Sequence, residues 1–476
     1  MSLHKIVSPE IVNKYDVNVP RYTSFPPVPN WKTPPKAQEW HQELQAALSQ
    51  GVHLYLHIPF CRSLCAYCGC FRIDPGTVTT TSAHIVKDYL HTIHDEWELY
   101  QEKSGIKNEH LRGIHLGGGT PNTLTPEELS FLLSKFGDTS SKLLSIELNP
   151  HTTTPLFLET LAKLGVQKIS FGIQDFDPTI RKIIGREGDY ESISEIMNKA
   201  RSLNFTSINI DLVLGLPGQT LSSIEYTLDR VASLRPDTIA YFSYAHVPWF
   251  APLQKGLEQH HIPVGSEKLS LLLKLQERLF SQNYIHIGLD HYALPSDPIA
   301  KAFADHKVIR NFMGHTYTQA GTLLGLGASS ISSSKNSYLQ NEKDLFKYMN
   351  TISQGQLATI RGHQKSELDR CCEKIIQTLL CYHTFQGHEE LRQDFSSYFK
   401  LASLEKLVTR LLEFRSDGLL EMEEITTTHN EQAAIEKILK LKLTYAGVIF
   451  IRNIASAFDY ALIDSTHAAS TFGRSL

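Results

Sequence analysis

The residues best suited to chemistry are four cysteines in one short stretch, residues 57–70, which reads HIPFCRSLCAYCGC. Cys61, Cys65 and Cys68 have the spacing C-x3-C-x2-C, and Cys70 follows two positions later. Close spacing lets one loop wrap a single 4Fe-4S cluster, which usually takes four thiolates. Three thiolates would hold three irons and leave the fourth open to an external ligand. The stretch therefore predicts a cluster-binding loop at the end of a strand.

Two other interpretations of these cysteines are open. They could be small buried residues, although the chain has only seven cysteines in 476 residues and buried cysteines have no reason to crowd in this way. They could also bind zinc, with Cys70 as a fourth ligand. Zinc sites with four protein ligands are usually built from two separated pairs, and no second pair is visible.

The composition argues against several classes of protein. A net charge of −4 and a pI of about 6.6 provide no basic field for nucleic acid or a membrane surface. The N-terminus is polar where a secretory signal would be apolar, and no apolar run approaches the roughly 20 residues of a membrane span. We therefore expect a cytoplasmic protein, in which clustered cysteines are more often metal ligands or redox groups than disulfides.

The elements that must position the loop alternate between strand and helix from about residue 52. Amphipathic stretches separate six strand candidates, which read HLYLHI, LRGIHL, LLSIEL, QKISFGI, SINIDLVLGL and TIAYFSYA. This alternation predicts a parallel sheet wound by right-handed crossovers. A long run of such strand–helix units favours a barrel or partial barrel, in which the catalytic residues lie at the C-terminal ends of the strands. The pattern alone does not exclude an open doubly wound sheet.

We expect three parts in the chain. Residues 1–48 form an N-terminal arm, in which the Pro-rich segment PRYTSFPPVPNWKTPP forbids a regular helix and the helical patch AQEWHQELQAAL follows. Residues 49–335 hold the barrel, and this range includes, after the sixth strand candidate, a long helix that starts near Ser266. Residues 340–476 form a mainly helical C-terminal domain, with a small sheet near residues 418–425.

Several strand candidates end in residues that could bind a ligand. Glu147 could accept hydrogen bonds from ribose hydroxyls or an amino group, or could cap the helix that starts near Pro155. Asp211 lies in the apolar run NIDLVLGLPG, so it holds either a buried partner or a ligand. Gln174 offers a donor and an acceptor, and Arg186 a fork suited to a carboxylate.

Two further features flank the predicted loop. Tyr55 shares a strand face with His57 and could contact a cofactor or simply fill the barrel core. The glycine-rich turn at 117–119, followed by Thr120, could let backbone approach a ligand, although such turns often serve the backbone alone.

With its aromatic Tyr67 before the third cysteine, the motif resembles the signature of the radical S-adenosylmethionine (SAM) superfamily. The longer pattern is similar to the family of oxygen-independent coproporphyrinogen III oxidases (coproporphyrinogen dehydrogenases) of haem and porphyrin biosynthesis. The motifs that carry this resemblance span nearly the whole chain and read PRYTSFP, Cys-Gly-Cys at 68–70, GGGTPNTL, SFGIQDFD, NIDLVLGLPGQT, YFSYAHVP, GLDHYALPSD and IRNIASAFD.

The resemblance implies an α/β fold with a partial (β/α)6-type, TIM-like barrel, and it implies the cofactors. Cys61, Cys65 and Cys68 would bind a 4Fe-4S cluster with SAM on the fourth iron. Cys70 would not be a ligand, because a fourth thiolate would block that iron. Two SAM molecules are implied. The first would contact Tyr55 and Ile331, and the second Gln174, Arg186, Asp211 and Ala245, with Tyr67 nearby. Gly118, Gly119 and Thr120 would contact SAM, and Glu147 is a further candidate for cofactor binding.

The resemblance also implies an activity. A 5′-deoxyadenosyl radical from SAM would start the oxidative decarboxylation of two propionate side chains of coproporphyrinogen III to vinyl groups, giving protoporphyrinogen IX without oxygen. The expected partners are the substrate and a low-potential electron donor such as flavodoxin or ferredoxin, with the protein acting as a monomer. Two rivals share the fold: a haem-binding chaperone without oxidase activity, and a radical SAM dehydrogenase acting on another carboxylate.

The substrate contacts are less defined. Arg21, in the arm, is our hypothesis for a cation at the edge of the tetra-anionic substrate. Asp290 and His291 in GLDHYA are polar groups whose chemistry the sequence does not define. The segment NFMGHT departs from the NFQGYT expected for the family at Met313 and His315, which puts local substrate contacts there in doubt.

Overall fold

The computed structural model describes residues 7–31, 33–74, 76, 82–186, 188–318, 320–387, 401–423, 438, 440–463 and 472–476. The arm contributes helices α1 (Pro9–Tyr15) and α2 (Ala37–Ala47). Between them the chain is irregular except for short 3-10 turns. Trp40 and Leu44 of α2 are fully buried, so this part of the arm belongs to the main hydrophobic core.

Six parallel strands alternate with helices, as the sequence predicts. The strands are β1 (Val52–Ile58), β2 (Leu111–Gly118), β3 (Leu143–Leu148), β4 (Lys168–Gln174), β5 (Ser207–Leu214) and β6 (Thr238–Ser243), hydrogen-bonded in that order. The helices are α3 (Ser82–Ser104), α4 (Pro126–Ser134), α5 (Pro155–Lys163), α6 (Pro178–Ile184), α7 (Tyr190–Ser202), α8 (Leu221–Leu234) and α9 (Gly265–Ser281). This arrangement matches the partial (β/α)6 barrel, and α9 begins one residue before the expected Ser266.

Local sequence explains where the crossover helices begin. Thr125, Thr154 and Asp177 cap α4, α5 and α6 by accepting hydrogen bonds from backbone N–H groups of the first turn. A proline follows each cap at the first helical position, where its missing N–H costs nothing.

The strands extend the sheet on both sides of the barrel. Beyond β6 lie β8 (His291–Ala293) and β7 (Ile285–Ile287), and beyond β1 lie β11 (Thr322–Leu326), β12 (Ile331–Ser333), β13 (Ser337–Asn341) and β14 (Thr359–Gln364). Helices α10 (Pro298–Ala304) and α11 (Leu345–Ser353) lie in this region, with a separate hairpin of β9 (Ile309–Asn311) and β10 (Gly314–Thr316). Because the sheet continues to residue 364, it crosses the expected boundary at 335–340, and the division into domains stays a prediction.

The C-terminal region is mainly helical. It contains α12 (Glu367–Tyr382), α13 (Leu401–Ser416), α14 (Tyr445–Ile449), α15 (Ile451–Ser456) and α16 (Tyr460–Ile463), with a three-stranded sheet of β15 (Thr384–Gln386), β17 (Lys440–Leu443) and β16 (Leu420–Glu421). The strand β16 lies within the small sheet expected near 418–425, and residues 424 and 425 lie outside the described residues. Among the described residues, none of the helices has the length and apolar character of a bilayer span.

The two faces of the barrel strands differ in chemistry. In β1 the residues Leu54, Leu56 and Ile58 have no exposed surface and pack into the main core, while His53, Tyr55 and His57 alternate with them. The apolar face therefore binds the helices, and the other face carries polar side chains into the barrel.

Candidate functional site

The loop after β1 is held in place by its own backbone and by one arginine. Cys61 N donates to Ile73 O (2.9 Å) and Ile73 N to Pro59 O (2.7 Å), so the two ends of the loop are paired. The Arg72 guanidinium donates to the carbonyl oxygens of Cys65 and Cys68, each at 2.8 Å. Arg72 was not among the predicted site residues, and it fixes the curvature of the loop that carries the cysteines.

The three predicted ligands open into one cavity of about 620 Å³. Cys61 and Cys65 are buried and Cys68 is half-buried. Cys61 Sγ lies 3.3 Å from Thr120 Oγ1, so the loop contacts the glycine-rich turn after β2. A hydrogen bond with the Cys70 side chain, and then the nearby Arg72, lower the pKa of Cys68 to about 6. Three thiol groups on one loop at a partly enclosed cavity form a donor set that fits a 4Fe-4S cluster with an open iron.

Cys70 differs from the other three cysteines of the loop. Cys70 is exposed to solvent. Its backbone nitrogen lies 3.4 Å from Cys68 Sγ, to which its N–H donates a weak hydrogen bond. The remaining cysteines, Cys371, Cys372 and Cys381, are buried on α12, away from the loop.

The glycine-rich turn serves close backbone packing. A Cβ on Gly118, whose φ is +111°, would lie 2.6 Å from the His57 ring, and one on Gly119 would lie 2.7 Å from the Pro59 carbonyl group. Only glycine fits these positions beside the cysteine loop. The turn does line the cavity, so its predicted SAM contacts stay possible beside this backbone role.

Glu147 faces the cavity at the end of β3. Its Oε1 lies 3.3 Å from His115 Nε2, while His115 Nδ1 lies 2.7 Å from Ser145 Oγ. Although burial opposes it, the hydrogen bond from His115 holds the pKa of Glu147 below its ordinary value. Thr154 caps α5, so the alternative in which Glu147 caps that helix is wrong.

Asp211 lies inside the barrel on β5, with both carboxylate oxygens occupied. Oδ2 accepts from Ser170 Oγ (2.9 Å) and Oδ1 from Asn209 Nδ2 (2.7 Å). Burial, and then the negative charge of Glu147, raise the pKa of Asp211 to about 6. The sequence left two alternatives for Asp211, a hydrogen-bonded partner inside the protein or a ligand. The structure shows hydrogen-bonded partners and also places Asp211 on the cavity wall.

The remaining predicted contacts lie near the C-terminal ends of β4 and β6. Gln174 has a φ of +74°, and the Arg186 guanidinium donates to Gly172 O. Tyr67 and Ala245 are joined by Gln254, whose Nε2 donates to their carbonyl oxygens at 2.8 and 3.3 Å. No local pattern in the sequence points to Gln254, because its role depends on contacts between distant segments.

Two predicted contacts do not line the cavity. The hydroxyl group of Tyr55 lies 3.0 Å from His57 Nδ1, and its ring stacks on His115 with 5.9 Å between centroids. Ile331 begins β12, and its backbone lies against Gly325 of β11. All the other predicted cofactor and metal residues line the cavity, and they are Tyr67, Gly118, Gly119, Thr120, Glu147, Gln174, Arg186, Asp211, Ala245, Cys61, Cys65 and Cys68.

The interior of the barrel below these residues is polar, which the sequence analysis missed. In typical barrels of this class, branched apolar side chains fill the interior. Here alternate residues of successive strands line the cavity instead, among them His53, His115, Ser145, Lys168, Ser170, Asn209, Asp211 and Thr238. Asn209 links two layers, donating to Ser170 Oγ (2.8 Å) and accepting from Thr238 Oγ1 (2.9 Å).

A second wall of the cavity comes from the arm and from the region after β6. Arg21, Met313 and His315 lie there, with His291 of β8. The Arg21 guanidinium donates to Ser243 O at the end of β6. Asp290 Oδ1 lies 2.7 Å from His291 Nδ1, which in turn lies 3.0 Å from His315 Nδ1. The motif GLDHYA and the departure at His315 thus meet in space.

Comparison with known proteins adds independent observations. Residues 55–231 match the family model of the radical SAM superfamily. The oxygen-independent coproporphyrinogen III oxidases of Synechocystis sp. and Escherichia coli K12 are each 33% identical to this chain, with 95% and 94% of this chain and 94% of each relative aligned. A solved structure of coproporphyrinogen III oxidase from Escherichia coli, described as a radical SAM enzyme, superposes with a TM-score of 0.82 at 30% identity, covering 93% of this chain and 99% of that one.

Proposed function

The chain belongs to the family of oxygen-independent coproporphyrinogen III oxidases, and from this premise we propose that it converts coproporphyrinogen III to protoporphyrinogen IX by oxidative decarboxylation of two propionates. The observation that carries the proposal is the shared cavity of about 620 Å³. The three proposed ligand cysteines and Cys70 line it, together with polar side chains from all six barrel strands.

Cys61, Cys65 and Cys68 would hold a 4Fe-4S cluster and leave room beside it for SAM. When bound, these groups would supply the radical chemistry that removes a hydrogen atom from the β-carbon of a propionate side chain. The fit rests on the donor set: three thiols on one loop that Arg72 clamps, opening into the cavity.

In this proposal the residues of the cavity wall bind and orient two SAM molecules. Glu147, kept ionised by His115, offers an acceptor for the hydroxyl or amino groups of a first SAM. Asp211, Gln174, Arg186 and Ala245 form the surroundings of a second SAM, with Tyr67 close by. The contacts of Tyr55 and Ile331 with the first SAM belong to the proposal as well.

The arm excludes water from this chemistry and supplies charge for the substrate. Among the described residues, the guanidinium of Arg21 has no carboxylate within 4.0 Å, although it lies in the cavity wall. Such a cation suits one of the four substrate propionates. Replacing Arg21 with Ala should raise the KM for coproporphyrinogen III by about tenfold, since a charge-assisted hydrogen bond contributes ~1.5–3 kcal/mol. An unchanged KM would exclude this role.

Electrons for the reaction come, in this proposal, from a low-potential donor of the flavodoxin or ferredoxin type, and the enzyme acts as a monomer. Size-exclusion chromatography with light scattering tests the second statement. Reduction of the reconstituted cluster by each donor, followed as loss of its visible absorbance, tests the first.

One experiment tests the function as a whole. The cluster is reconstituted without oxygen, reductant, SAM and coproporphyrinogen III are added, and released carbon dioxide is counted against vinyl product. We expect two molecules of carbon dioxide for each protoporphyrinogen IX. Haem binding without any turnover would refute the oxidase and favour the chaperone. Turnover of a different carboxylate only would favour another radical SAM dehydrogenase.

A further inference from the structure

A cluster of Asp290, His291 and His315 lies at the cavity wall, and the chemistry above does not use it. His291 and His315 line the cavity, and Asp290 and His315 are buried, with 7% and 8% of their surfaces exposed. The two imidazole rings lie with centroids 4.6 Å apart at 65°. Since such a cluster in a binding cavity is rarely only structural, its protonation pattern decides what it can offer.

The hydrogen bonds define which nitrogen of His291 is free. Asp290 Oδ1 can only accept, so His291 Nδ1 carries the hydrogen of the 2.7 Å bond. His315 Nδ1, 3.0 Å away, then accepts a share of the same hydrogen. Within the described part of the chain, no protein group bonds His291 Nε2. This nitrogen is left to contact whatever occupies the cavity.

The surroundings of Nε2 are open and positively charged. The nearby residue Gly314 leaves space there, because a Cβ on it would lie only 3.3 Å from this nitrogen. Phe242 meets the ring edge to face at 6.1 Å. Arg21 lines the same cavity, and it also lines a small adjoining cavity with Asp290. Because Nδ1–H is committed to Asp290, Nε2 can donate a hydrogen bond only when the ring is protonated. A protonated imidazole in the same cavity as a guanidinium fits an anion.

A metal ion is the alternative occupant of the cluster, since the three ligand atoms lie within 4.8 Å of one another. However, Arg310 Nη1 lies 3.9 Å from Asp290 Oδ1, and the positive charges of Arg21 and Arg452 act on the same carboxylate. A divalent cation here would add charge to a buried group of cations that already neutralises Asp290. The electrostatics favour an anion at His291 over a cation between the three side chains.

We propose that His291, oriented by Asp290 and flanked by Arg21, binds the carboxylates that the substrate keeps. This inference rests on the proposed function, in which two of four propionates leave as carbon dioxide. A carboxylate that leaves loses its charge, so an ion pair with it would oppose the reaction. An ion pair with a retained propionate persists through both decarboxylations. It therefore stabilises the bound substrate and the transition state equally, which is uniform binding.

The experiment measures binding without turnover. Coproporphyrin III, with four propionates, and protoporphyrin IX, with the two retained ones, are titrated anaerobically into the reconstituted protein, and dissociation constants are read from fluorescence quenching. His291→Asn should weaken both ligands by the same factor, about tenfold or more. His291→Gln should weaken them less, because a glutamine amide reaches the position of Nε2 and an asparagine amide only that of Nδ1.

The kinetic expectation is separate. His291→Asn should raise the KM for coproporphyrinogen III with kcat nearly unchanged, because uniform binding is what it removes. His261→Asn is the matched control, since His261 is exposed and paired only with Glu267 at 2.7 Å, and it should change neither constant.

Several results would overturn the subsite. These are unchanged dissociation constants in His291→Asn, weakening of coproporphyrin III alone, equal weakening by Asn and Gln, or a stoichiometric divalent metal that is lost in His291→Asn. The proposed function can fail independently: a wild-type protein that binds both porphyrins through His291 and releases no carbon dioxide would refute the oxidase and retain the subsite.

Discussion

Replacing Asp211 with Asn tests the proposed second SAM site directly. The substitution keeps the shape of the side chain and removes the negative charge. The amide oxygen can still accept from Asn209, while the amide NH2 group must donate to Ser170 Oγ, where the carboxylate accepted. SAM carries a sulfonium and an ammonium group, so an ionised carboxylate in the cavity wall should attract it. We expect wild-type protein to bind two equivalents of SAM and the variant to bind one with unchanged affinity.

The size of the effect follows from the environment of the carboxylate. A hydrogen bond or ion pair with a charged group contributes ~1.5–3 kcal/mol, which corresponds to about a 10- to 150-fold loss of affinity for the second equivalent. Burial and Glu147 raise the pKa of Asp211 to about 6, so protonation begins within an accessible pH range. Since SAM prefers the ionised form, the wild-type affinity should fall by about fourfold between pH 7.5 and pH 5.5.

The assay is anaerobic equilibrium dialysis of labelled SAM against the reconstituted protein at both pH values. Asp175→Asn provides the matched control. Burial raises the pKa of Asp175 to about 6 as well, but its carboxylate is hydrogen-bonded to Gln219 and Thr227 and does not line the cavity. That variant should keep two equivalents and the wild-type pH dependence.

Two outcomes would refute the reasoning. If Asp211→Asn still binds two equivalents of SAM, the carboxylate does not define a second site. If the pH dependence persists in Asp211→Asn, another group causes it. If the control variant Asp175→Asn also lost its two equivalents of bound SAM, the cause would be a general structural effect.

Four further variants have defined outcomes. Cys70→Ser should keep the absorption and electron paramagnetic resonance spectra of a 4Fe-4S cluster, whereas Cys65→Ser should lose them; loss of the cluster in both would make Cys70 a ligand. Burial raises the pKa of Glu96 to about 7, although three hydrogen-bond donors act in the opposite direction. The folded state therefore binds the proton more tightly than the unfolded state does. The free energy of unfolding should fall by at most ~3 kcal/mol between about pH 4.5 and pH 7. Glu96→Gln should flatten that slope in urea unfolding, and an unchanged slope would assign it elsewhere. Arg452→Met leaves buried carbonyl groups of Val19 and Pro20 unpaired and should cost about 3 kcal/mol, with faster proteolysis of the arm; equal stability would contradict the contacts.

The strand order and the cysteine loop could be predicted because their signals are local. The run HLYLHI becomes Val52–Ile58, and SINIDLVLGL becomes Ser207–Leu214 with its turn. Alternating strand and helix allows few topologies, and the parallel sheet follows. The cysteines are close in sequence, so their meeting in one loop needs no knowledge of the fold.

The polar interior of the barrel was missed although its signal was present. His53, Ser145, Lys168 and Asn209 occupy alternate positions in strands whose intervening residues are apolar. Strands buried on both faces usually read as continuous apolar runs, so this alternation indicated a second face that meets polar contents. Apolar periodicity alone identifies the strands, whereas the polar interior follows only from what the intervening residues share.

Other parts of the site could not be predicted, because they depend on contacts between distant segments. Arg72 clamps its own loop, but only the folded path of that loop brings the carbonyl groups within its reach. Gln254 lies 187 residues from Tyr67, to whose carbonyl oxygen it donates. His291 and His315 are separated by 24 positions and by a helix and a hairpin turn.

The C-terminal region influences the cavity without lining it. Among the described residues, none beyond Thr316 contributes to the cavity wall. Yet Arg452 holds the carbonyl groups of Val19 and Pro20, and the Tyr22 hydroxyl group donates to Asp459 at 3.0 Å, so C-terminal residues hold the chain on both sides of Arg21. Because Arg21 reaches the cavity from this anchored segment, the position of the substrate-binding cation depends on the docking of the C-terminal helices. Arg452→Met should therefore raise the KM for coproporphyrinogen III while SAM binding, which depends on the barrel strands, stays unchanged.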